Sequence, residues 1–140
     1  MKFLLVDDHP LMRLALRAVV TTLDAQALTI DAESPTQARE ALSSHSDFDA
    51  VVLEVRLGAG DGFGILREVR QSRPKLPIVV FTGSDQGRDL IRAVDGGAMA
   101  FVHKRSGQAD LCKALDTVMA GGIYLPPDTM ALLKTARFEA

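Results

Sequence analysis

Residues 48–62 read FDAVVLEVRLGAGDG and predict a buried strand that ends at a carboxylate and a glycine-rich loop. The apolar run at 50–53 is far shorter than the ~20 residues of a membrane span, and such a run is typical of a strand inside a parallel sheet. Glu54 comes directly after it. Because ligands bind outside the carboxyl ends of strands in open parallel sheets, Glu54 is the first candidate functional residue.

The rest of the chain repeats the pattern of an apolar run followed by an amphipathic helix. Five such alternations predict a parallel sheet with helices on both faces and right-handed crossovers. The predicted strands lie at 2–6, 27–32, 50–55, 78–81 and 98–102, and the helices after them begin near residues 10, 34, 61, 85 and 107.

Helical spacing also predicts which faces of two helices are buried. In the third helix, the arginines at 67, 70 and 73 are assigned to a solvated face. The apolar face of the first helix is predicted to hold Leu11, Leu14, Ala15, Ala18 and Val19.

Composition limits the classes of function. At 140 residues the chain fits one domain with a complete core. Its net charge is -2, with acidic and basic residues interspersed, so we expect no direct nucleic-acid binding by this chain and no membrane attachment. The single cysteine, Cys112, excludes an internal disulfide, and no signal peptide or anchor is recognisable. We therefore expect a soluble, cytoplasmic protein.

Polar side chains stand at the predicted carboxyl ends of four strands. Three are carboxylates, one is a hydroxyl and one is an ammonium group. They belong to Asp7, Asp8, Glu54, Thr82 and Lys104. Each alone has an ordinary structural explanation, such as helix capping, a turn hydroxyl or a surface charge. Their convergence on one edge of the sheet favours a functional site.

This set of groups suits a phosphoryl group held together with a hard divalent cation. Magnesium prefers oxygen ligands, which suits Asp8 directly and Asp7 through water or as a second ligand. Thr82 can donate a hydrogen bond to a phosphoryl oxygen, and Lys104 can neutralise its charge. A carboxylate at the position of Glu54 would be either the nucleophile or a stand-in for a phosphoryl group already there.

Two other kinds of site are disfavoured by spacing. His9, His45 and His103 lie on separate segments, which argues against zinc. The glycines between 58 and 64 match neither a phosphate-binding loop nor a dinucleotide fingerprint, so they are interpreted as turn residues.

At this point the chain resembles the receiver domain of two-component response regulators. The matching stretches are LLVDDHPLMRLALR at 4–17, VVLEVRLGAGDGFGIL at 51–66, VVFTGS at 79–84 and AFVHKRSG at 100–107. The DDHP opening, the HKRS step and AGGIYLPP at 120–127 further resemble the NarL/FixJ-type subfamily, whose members usually continue into a helix-turn-helix DNA-binding domain. We expect a receiver domain at 1–120 and a linker-like segment at 121–140, with a DNA-binding domain following in a longer protein.

The resemblance implies a flavodoxin-like fold, a five-stranded doubly wound parallel sheet in the order 2-1-3-4-5. It also implies roles for individual residues. Glu54 takes the phosphoacceptor position, Thr82 and Phe101 form the switch pair, and Lys104 contacts the phosphoryl group. The implied magnesium ligands are Asp7, Asp8, Glu54 and the backbone carbonyl of Arg56.

The implied partners are a sensor histidine kinase and a second copy of the chain. The surface at about 85–119 would report the switch to partners, and pairing through the first and fifth helices is the alternative that the subfamily offers.

Glu54 departs from the family, whose phosphoacceptor is aspartate. The extra methylene adds about 1.5 Å of reach, and misplacing a reacting atom by that order costs ~100-fold in rate. The same methylene moves the carboxylate toward Thr82 and Lys104. We expect a non-enzymatic signalling domain that is independent of phosphorylation, either biased toward an active-like state or simply uncoupled from kinases.

Three alternatives stay open from the sequence. The first is a conventional magnesium-dependent phosphorylation switch. The second is a magnesium-dependent phosphohydrolase or phosphotransferase, against which the chain offers neither a further general base nor a substrate-binding insertion. The third is a structural dimerisation domain with a vestigial pocket.

Overall fold

The computed structural model describes residues 1–58 and 60–127, which form a five-stranded sheet between two layers of helices. None of the helices in these ranges is long and apolar enough to cross a membrane. The strands are β1 (Lys2–Val6), β2 (Leu28–Ala32), β3 (Ala50–Leu53), β4 (Arg56–Leu57), β5 (Gly60–Asp61), β6 (Ile78–Thr82) and β7 (Ala100–His103). The helices are α1 (Pro10–Leu23), α2 (Pro35–Ser44), α3 (Gly62–Ser72), α4 (Gly87–Asp95) and α5 (Gly107–Met119), with a 3₁₀ turn at Lys104–Ser106.

The strand order of the main sheet is β2-β1-β3-β6-β7, and every neighbouring pair is parallel. The short strands β4 and β5 pair only with each other, as an antiparallel hairpin. Without them the order is 2-1-3-4-5, so the predicted doubly wound, flavodoxin-like fold is confirmed.

The sheet is covered on both faces, which explains the uninterrupted apolar runs of its central strands. All residues of β3 and β6 are buried. Phe3, Leu5 and Val52 face the layer of α1 and α5, while Leu4, Val51 and Leu53 face the layer of α2, α3 and α4. Alternate side chains of one strand therefore enter two separate apolar cores.

The predicted apolar face of α1 is wrong for most of its residues. Leu11 is 81% exposed and Leu14 is 57% exposed, whereas Leu16, Val19 and Val20 are buried. The helix carries two overlapping stripes with helical spacing, and packing against Phe3 and the other residues of that core buries the second one. Only contact with the sheet decides between such stripes.

Local capping fixes two helix starts as predicted. The Ser34 hydroxyl accepts a hydrogen bond from Gln37 N, and the Asp61 carboxylate accepts one from Phe63 N at 2.7 Å. Helix α4 begins at Gly87, two residues later than the predicted start at Asp85.

Two of the three arginines assigned to the solvated face of α3 instead form hydrogen bonds with backbone carbonyls. The Arg70 guanidinium donates to Gly97 O at 2.5 Å and to Pro74 O at 2.7 Å, and Arg73 donates to His45 O at 2.8 Å. Both satisfy carbonyls at chain turns. Arg67 is exposed as predicted.

The segment after α5 returns to the sheet. Tyr124 N donates to Met99 O at 3.0 Å, and Phe101 N donates to Tyr124 O at 3.1 Å. Tyr124 therefore lies beside β7 at the edge of the sheet. Most of the predicted linker-like segment falls at 128–140, outside the described residues.

Candidate functional site

The register of the sheet brings the predicted site residues to one edge. Val6 is paired with Leu53, Leu53 with Val80, and Thr82 with His103. An ionisable residue directly follows each of β1, β3 and β7. These residues are Asp7, Glu54 and Lys104. The carboxyl ends of the strands meet, as a parallel sheet requires.

Lys104 is the centre of the charged cluster. Its Nζ lies 2.8 Å from Asp7 Oδ2 and 3.1 Å from Glu54 Oε1, and its side chain is only 14% exposed. Burial disfavours the charged ammonium, but the hydrogen bond to Asp7 and the charges of Glu54 and Asp7 outweigh it, so the pKa of Lys104 is raised. The ammonium thus stays charged between two carboxylates.

Glu54 is 4% exposed, and both of its carboxylate oxygens accept hydrogen bonds. Oε1 accepts from Gly83 N at 3.2 Å in addition to its contact with Lys104, and Oε2 accepts from Arg56 N at 3.1 Å. Two backbone N–H groups and one ammonium therefore surround a single buried carboxylate, which compensates for its desolvation.

Asp7, Asp8 and His9 form an acidic cluster beside Lys104, in which one ligand atom from each lies within 4.8 Å of the others. Asp7 Oδ1 accepts from His9 N at 2.9 Å, and Asp8 Oδ2 accepts from Gly58 N at 2.7 Å. The imidazole of His9 was not expected to join this group.

Asp8 Oδ1 provides a test of whether this cluster fits a cation. The atom is buried and accepts no hydrogen bond from the described residues, although His9 Nδ1 lies 3.1 Å away. A buried carboxylate oxygen without a hydrogen-bond partner is costly unless a cation or water contacts it. Together with the all-oxygen carboxylate donors of Asp7 and Asp8, this atom fits a hard divalent cation such as Mg²⁺.

Thr82 and Phe101 are both buried, on neighbouring strands. Thr82 Oγ1 accepts from Ser84 N at 3.1 Å and makes no hydrogen bond to Glu54 among the described contacts. Phe101 packs in the apolar core on the α2, α3 and α4 side. The structure thus places Thr82 directly before Gly83, whose backbone N–H contacts Glu54, and places Phe101 in the core on the neighbouring strand.

A second network at the pocket was missed by sequence analysis. The Arg56 guanidinium makes two hydrogen bonds to Asp89, at 2.9 and 2.7 Å, and Ser84 Oγ donates to Asp89 Oδ2 at 2.6 Å. Asp89 is 1% exposed. Burial alone would raise the pKa of Asp89, but the hydrogen bonds from Arg56 and Ser84 outweigh it and lower the pKa.

No spacing rule relates Arg56 to Asp89, because they are 33 residues apart. The only available signal was an acidic residue in the first turn of α4, which has the simpler explanation of a favourable helix dipole. Two members of the network, Arg56 and Ser84, nevertheless line a cleft of about 580 Å³ together with Glu54, Gly83, Asp85 and Gln86.

Comparison with known proteins identifies the family that this chain resembles. The model of the response regulator receiver domain family matches residues 3–116. The glycerol metabolism activator of Pseudomonas putida is 28% identical over 134 residues, which cover 96% of this chain and 61% of the relative. The nitrate/nitrite response regulator protein NarL of Escherichia coli strain K12 is 29% identical over 122 residues, 87% of this chain and 56% of the relative. The chain thus spans about three-fifths of the length of these relatives.

Solved structures agree with this assignment. A two-component response regulator of the LuxR family from Aurantimonas sp. SI85-9A1 superposes with a TM-score of 0.78 and 26% identity, covering 98% of this chain and 97% of that one. The isolated receiver domain of RcsB from Salmonella enterica serovar Typhimurium, solved in the presence of phosphomimetic BeF₃⁻, has a TM-score of 0.82 at 23% identity, covering 95% and 98%. The second likeness shows the fold alone. With its matching sequence, sheet order and acidic edge, this chain belongs to the response regulator receiver domain family.

Proposed function

We propose that this receiver domain signals without being phosphorylated, because Glu54 already occupies the place of the phosphoryl group. The observation that carries the proposal is the environment of the Glu54 carboxylate, which contacts Lys104 Nζ at 3.1 Å and accepts from Gly83 N and Arg56 N. These are the kinds of donors that bind a phosphoryl oxygen in water-excluded sites.

Glu54 mimics a phosphoryl group only partially, because its charge is smaller. A carboxylate carries one negative charge, against about -1.5 to -2 for a phosphoryl group at neutral pH. The bias toward an active-like state equals the difference between the interactions of Glu54 in the two states. Glu54 therefore shifts the equilibrium less than phosphorylation of an aspartate would.

Glu54 is also a poor nucleophile in this setting. Both of its oxygens are engaged with N–H or ammonium donors, and its reach is about 1.5 Å longer than that of aspartate. A displacement of that order costs ~100-fold in rate for a positioned reacting atom. A sensor histidine kinase, as the partner expected for the family, would therefore transfer a phosphoryl group to this chain slowly or not at all.

For the acidic cluster we propose Mg²⁺ binding. The carboxylates of Asp7 and Asp8 and the backbone carbonyl of Arg56 would hold the ion, with Glu54 as the remaining oxygen donor. Bound there, the ion supplies positive charge that neutralises the carboxylates. Thr82 and Phe101 are proposed as the pair that moves between states, since Thr82 directly precedes Gly83, which contacts Glu54, and Phe101 lies in the core on the neighbouring strand.

The proposed output is transcriptional and is exerted in the cytoplasm through a DNA-binding domain of a longer protein, because the relatives extend beyond the matched region.

A homodimer is proposed through α1. Leu11 and Leu14 are largely exposed on this helix, and neighbouring exposed leucines are the kind of apolar patch that marks an interface. Light scattering should show the native chain as a concentration-dependent dimer and Leu11→Glu/Leu14→Glu as a monomer. Leu28→Glu, at an exposed leucine on β2, is the control.

The experiment that tests the proposed function is intact-mass analysis after incubation with acetyl phosphate and Mg²⁺. The native chain should gain no phosphoryl group, and Glu54→Asp should gain one. Labelling of the native chain at the rate of Glu54→Asp would overturn the proposal and leave a conventional phosphorylation switch. The matched control is Glu54→Asp combined with Lys104→Met, which keeps the acceptor and removes the ammonium group.

A second measurement tests the active-like bias. Amide spectra of the native chain should differ from those of Glu54→Gln at Gly83, Thr82 and Phe101. Adding beryllofluoride to the Glu54→Asp variant should move the same resonances toward their positions in the native chain. If beryllofluoride moves them away from those positions, Glu54 abolishes phosphorylation without mimicking it.

A further inference from the structure

The backbone N–H of Gly58 is hydrogen-bonded to the side chain of Asp8, and the function proposed above does not use this contact. The N–H donates to Asp8 Oδ2 at 2.7 Å. Gly58 directly follows β4, whereas Asp8 lies between β1 and α1, 50 residues earlier in the chain. The contact therefore joins the two segments that carry the proposed Mg²⁺ ligands.

The carboxylate oxygens of the cluster differ in whether they accept a hydrogen bond. Both oxygens of Asp7 and both oxygens of Glu54 contact N–H or ammonium donors. In Asp8, Oδ2 accepts from Gly58, whereas Oδ1 is buried and accepts no hydrogen bond from residues 1–58 and 60–127. Of these three carboxylates, Asp8 thus presents the oxygen that gains most from a cation.

The hydrogen bond from Gly58 also sets the direction of Asp8. With Oδ2 held by Gly58, Asp8 Oδ1 lies 3.1 Å from His9 Nδ1, and the same nitrogen lies 3.0 Å from Asp7 Oδ1. Asp8 Oδ1 therefore faces the neighbouring carboxylate. The His9 side chain is 67% exposed, so it can turn into solvent and leave Asp8 Oδ1 to an ion.

A glycine at residue 58 is explained by its approach to Asp8. A Cβ there would lie 2.9 Å from Asp8 Oδ2, which is closer than van der Waals contact allows. The φ of Gly58 lies outside the left-handed region, so the backbone conformation itself does not require a glycine. The missing side chain therefore keeps the amide within hydrogen-bond distance of the carboxylate.

We propose that Gly58 is a positioning residue that makes the cation site selective for Mg²⁺ over Ca²⁺, an inference that rests on the Mg²⁺ site proposed above. With Oδ2 engaged, Asp8 offers a cation a single oxygen. Mg²⁺ demands octahedral geometry, binds through few carboxylates and keeps several waters, whereas Ca²⁺ takes about 6–8 oxygens and often both oxygens of one carboxylate. A carboxylate restricted to one oxygen suits the smaller ion.

The test compares Gly58→Pro with Gly58→Ala, because both variants add a Cβ and only proline removes the N–H. Leu57 belongs to the extended strand β4, a conformation that suits the residue before a proline, so we expect Gly58→Pro to fold. Thermal unfolding of both variants checks this. Amide shifts during separate titrations with MgCl₂ and CaCl₂, at constant ionic strength, give the two dissociation constants.

Gly58→Pro should bind Mg²⁺ about tenfold or more weakly than the native chain, because a ligating carboxylate loses the hydrogen bond that orients it. Its affinity for Ca²⁺ should not fall, since the freed Asp8 Oδ2 becomes a second ligand oxygen. The preference for Mg²⁺ should therefore fall by about tenfold or more. Gly58→Ala should weaken Mg²⁺ binding by less than about threefold, because its N–H can follow the displaced carboxylate.

A measurement on the native chain does not depend on either variant. The Gly58 amide should exchange with D₂O more slowly when Mg²⁺ is bound, because the ion fixes Asp8 while Oδ2 still accepts from the N–H. The matched control is the amide of Lys2, which donates to Asp49 Oδ2, also at 2.7 Å, at the other end of β1. Its exchange rate should not respond to Mg²⁺.

Three outcomes would overturn the proposal. The first is an unchanged preference for Mg²⁺ over Ca²⁺ in Gly58→Pro. The second is equal weakening by Gly58→Pro and Gly58→Ala, which would assign the effect to the Cβ. The third is faster exchange of the Gly58 amide in Mg²⁺, which would show that the ion takes Asp8 Oδ2 from the N–H.

The failure of this inference and that of the proposed function are distinguishable. A native chain without saturable Mg²⁺ binding would overturn both the proposed Mg²⁺ site and the role of Gly58. Mg²⁺ binding with any of the three outcomes above would overturn the role of Gly58 alone. A native chain that gains a phosphoryl group would overturn the proposal for Glu54 and leave this inference standing.

Discussion

Arg56 and Asp89 are joined by two hydrogen bonds, from Arg56 Nε to Oδ2 at 2.9 Å and from Nη2 to Oδ1 at 2.7 Å. Arg56 is the first residue of β4, shortly after the central strand β3, and Asp89 lies in the first turn of α4. The pair thus fastens α4 to the residue whose amide contacts Glu54. Motion at the pocket and motion of α4 are mechanically connected through it.

Arg56→Ala should lower the free energy of unfolding by about 1–3 kcal/mol, because Asp89 would stay buried with Ser84 as its remaining side-chain partner. Urea unfolding monitored by circular dichroism measures this. Arg39→Ala is the control, since Arg39 pairs with Glu68 at an exposed site and should cost no more than about 1 kcal/mol. Equal losses for the two variants would show that the Arg56 pair contributes no more than a surface ion pair.

Stability should fall at acid pH partly through Asp89. The pKa of Asp89 is lowered in the folded state, so its contribution is complete above the unfolded value of about 3.9 and is lost as pH falls through the folded value. The native chain should therefore be more stable than Asp89→Asn at neutral pH, and the difference should shrink toward about pH 3. Urea unfolding at the two pH values tests the sign, and a difference that widens on acidification would contradict it.

Replacing Glu54 by Gln should lower the pKa of Lys104. Burial already disfavours the ammonium, and the variant removes one of the two carboxylate charges that outweigh it. Titration of the lysine side-chain resonances by NMR measures the change. Asp7→Asn should lower the same pKa as well, because Asp7 accepts the shorter hydrogen bond from Lys104. An unchanged Lys104 pKa in both variants would mean that the cluster is open to solvent.

Gly62→Ala should destabilise the domain by about 1–3 kcal/mol, because a Cβ there would lie 2.5 Å from Glu54 O and 2.9 Å from Val55 Cα, which are backbone atoms that cannot yield easily. Gly64→Ala in the same helix is the matched control. Its nearest neighbour would be the flexible end of Arg39 at 3.6 Å, so helix propensity should make it neutral or stabilising by up to about 1 kcal/mol. Thermal unfolding of both variants separates crowding from propensity.

The sheet could be predicted from the sequence because each strand is a short apolar run with a turn signal at its end. Strand order followed from family resemblance, and the pairing of Leu53 with Val6 and Val80 agrees with it. The buried face of α1 could not be predicted. Leu11 and Leu14 have the same periodicity as Leu16 and Val19, and only the position of the sheet distinguishes the two faces.

The convergence of Asp7, Glu54 and Lys104 was predictable, because strand ends in a parallel sheet meet at one edge. The partners of their polar atoms were not. The backbone amides of Gly83 and Arg56 have no sequence signature, and neither has the contact between Arg56 and Asp89, which depends on where α4 lies. The charged and polar groups at strand ends can be inferred from residue type, whereas hydrogen bonds between separate loops depend on the three-dimensional structure.

If Glu54 acts as proposed, its engaged carboxylate changes what the molecule can report. A phosphorylatable pocket converts the activity of another enzyme into a conformation, and the conformation decays when the phosphoryl group leaves. A built-in carboxylate is neither added nor removed, so it cannot show when a signal was received. In a regulator of the proposed kind, the quantity that varies is the number of copies per cell, and control would pass from a kinase to the synthesis and degradation of the protein itself.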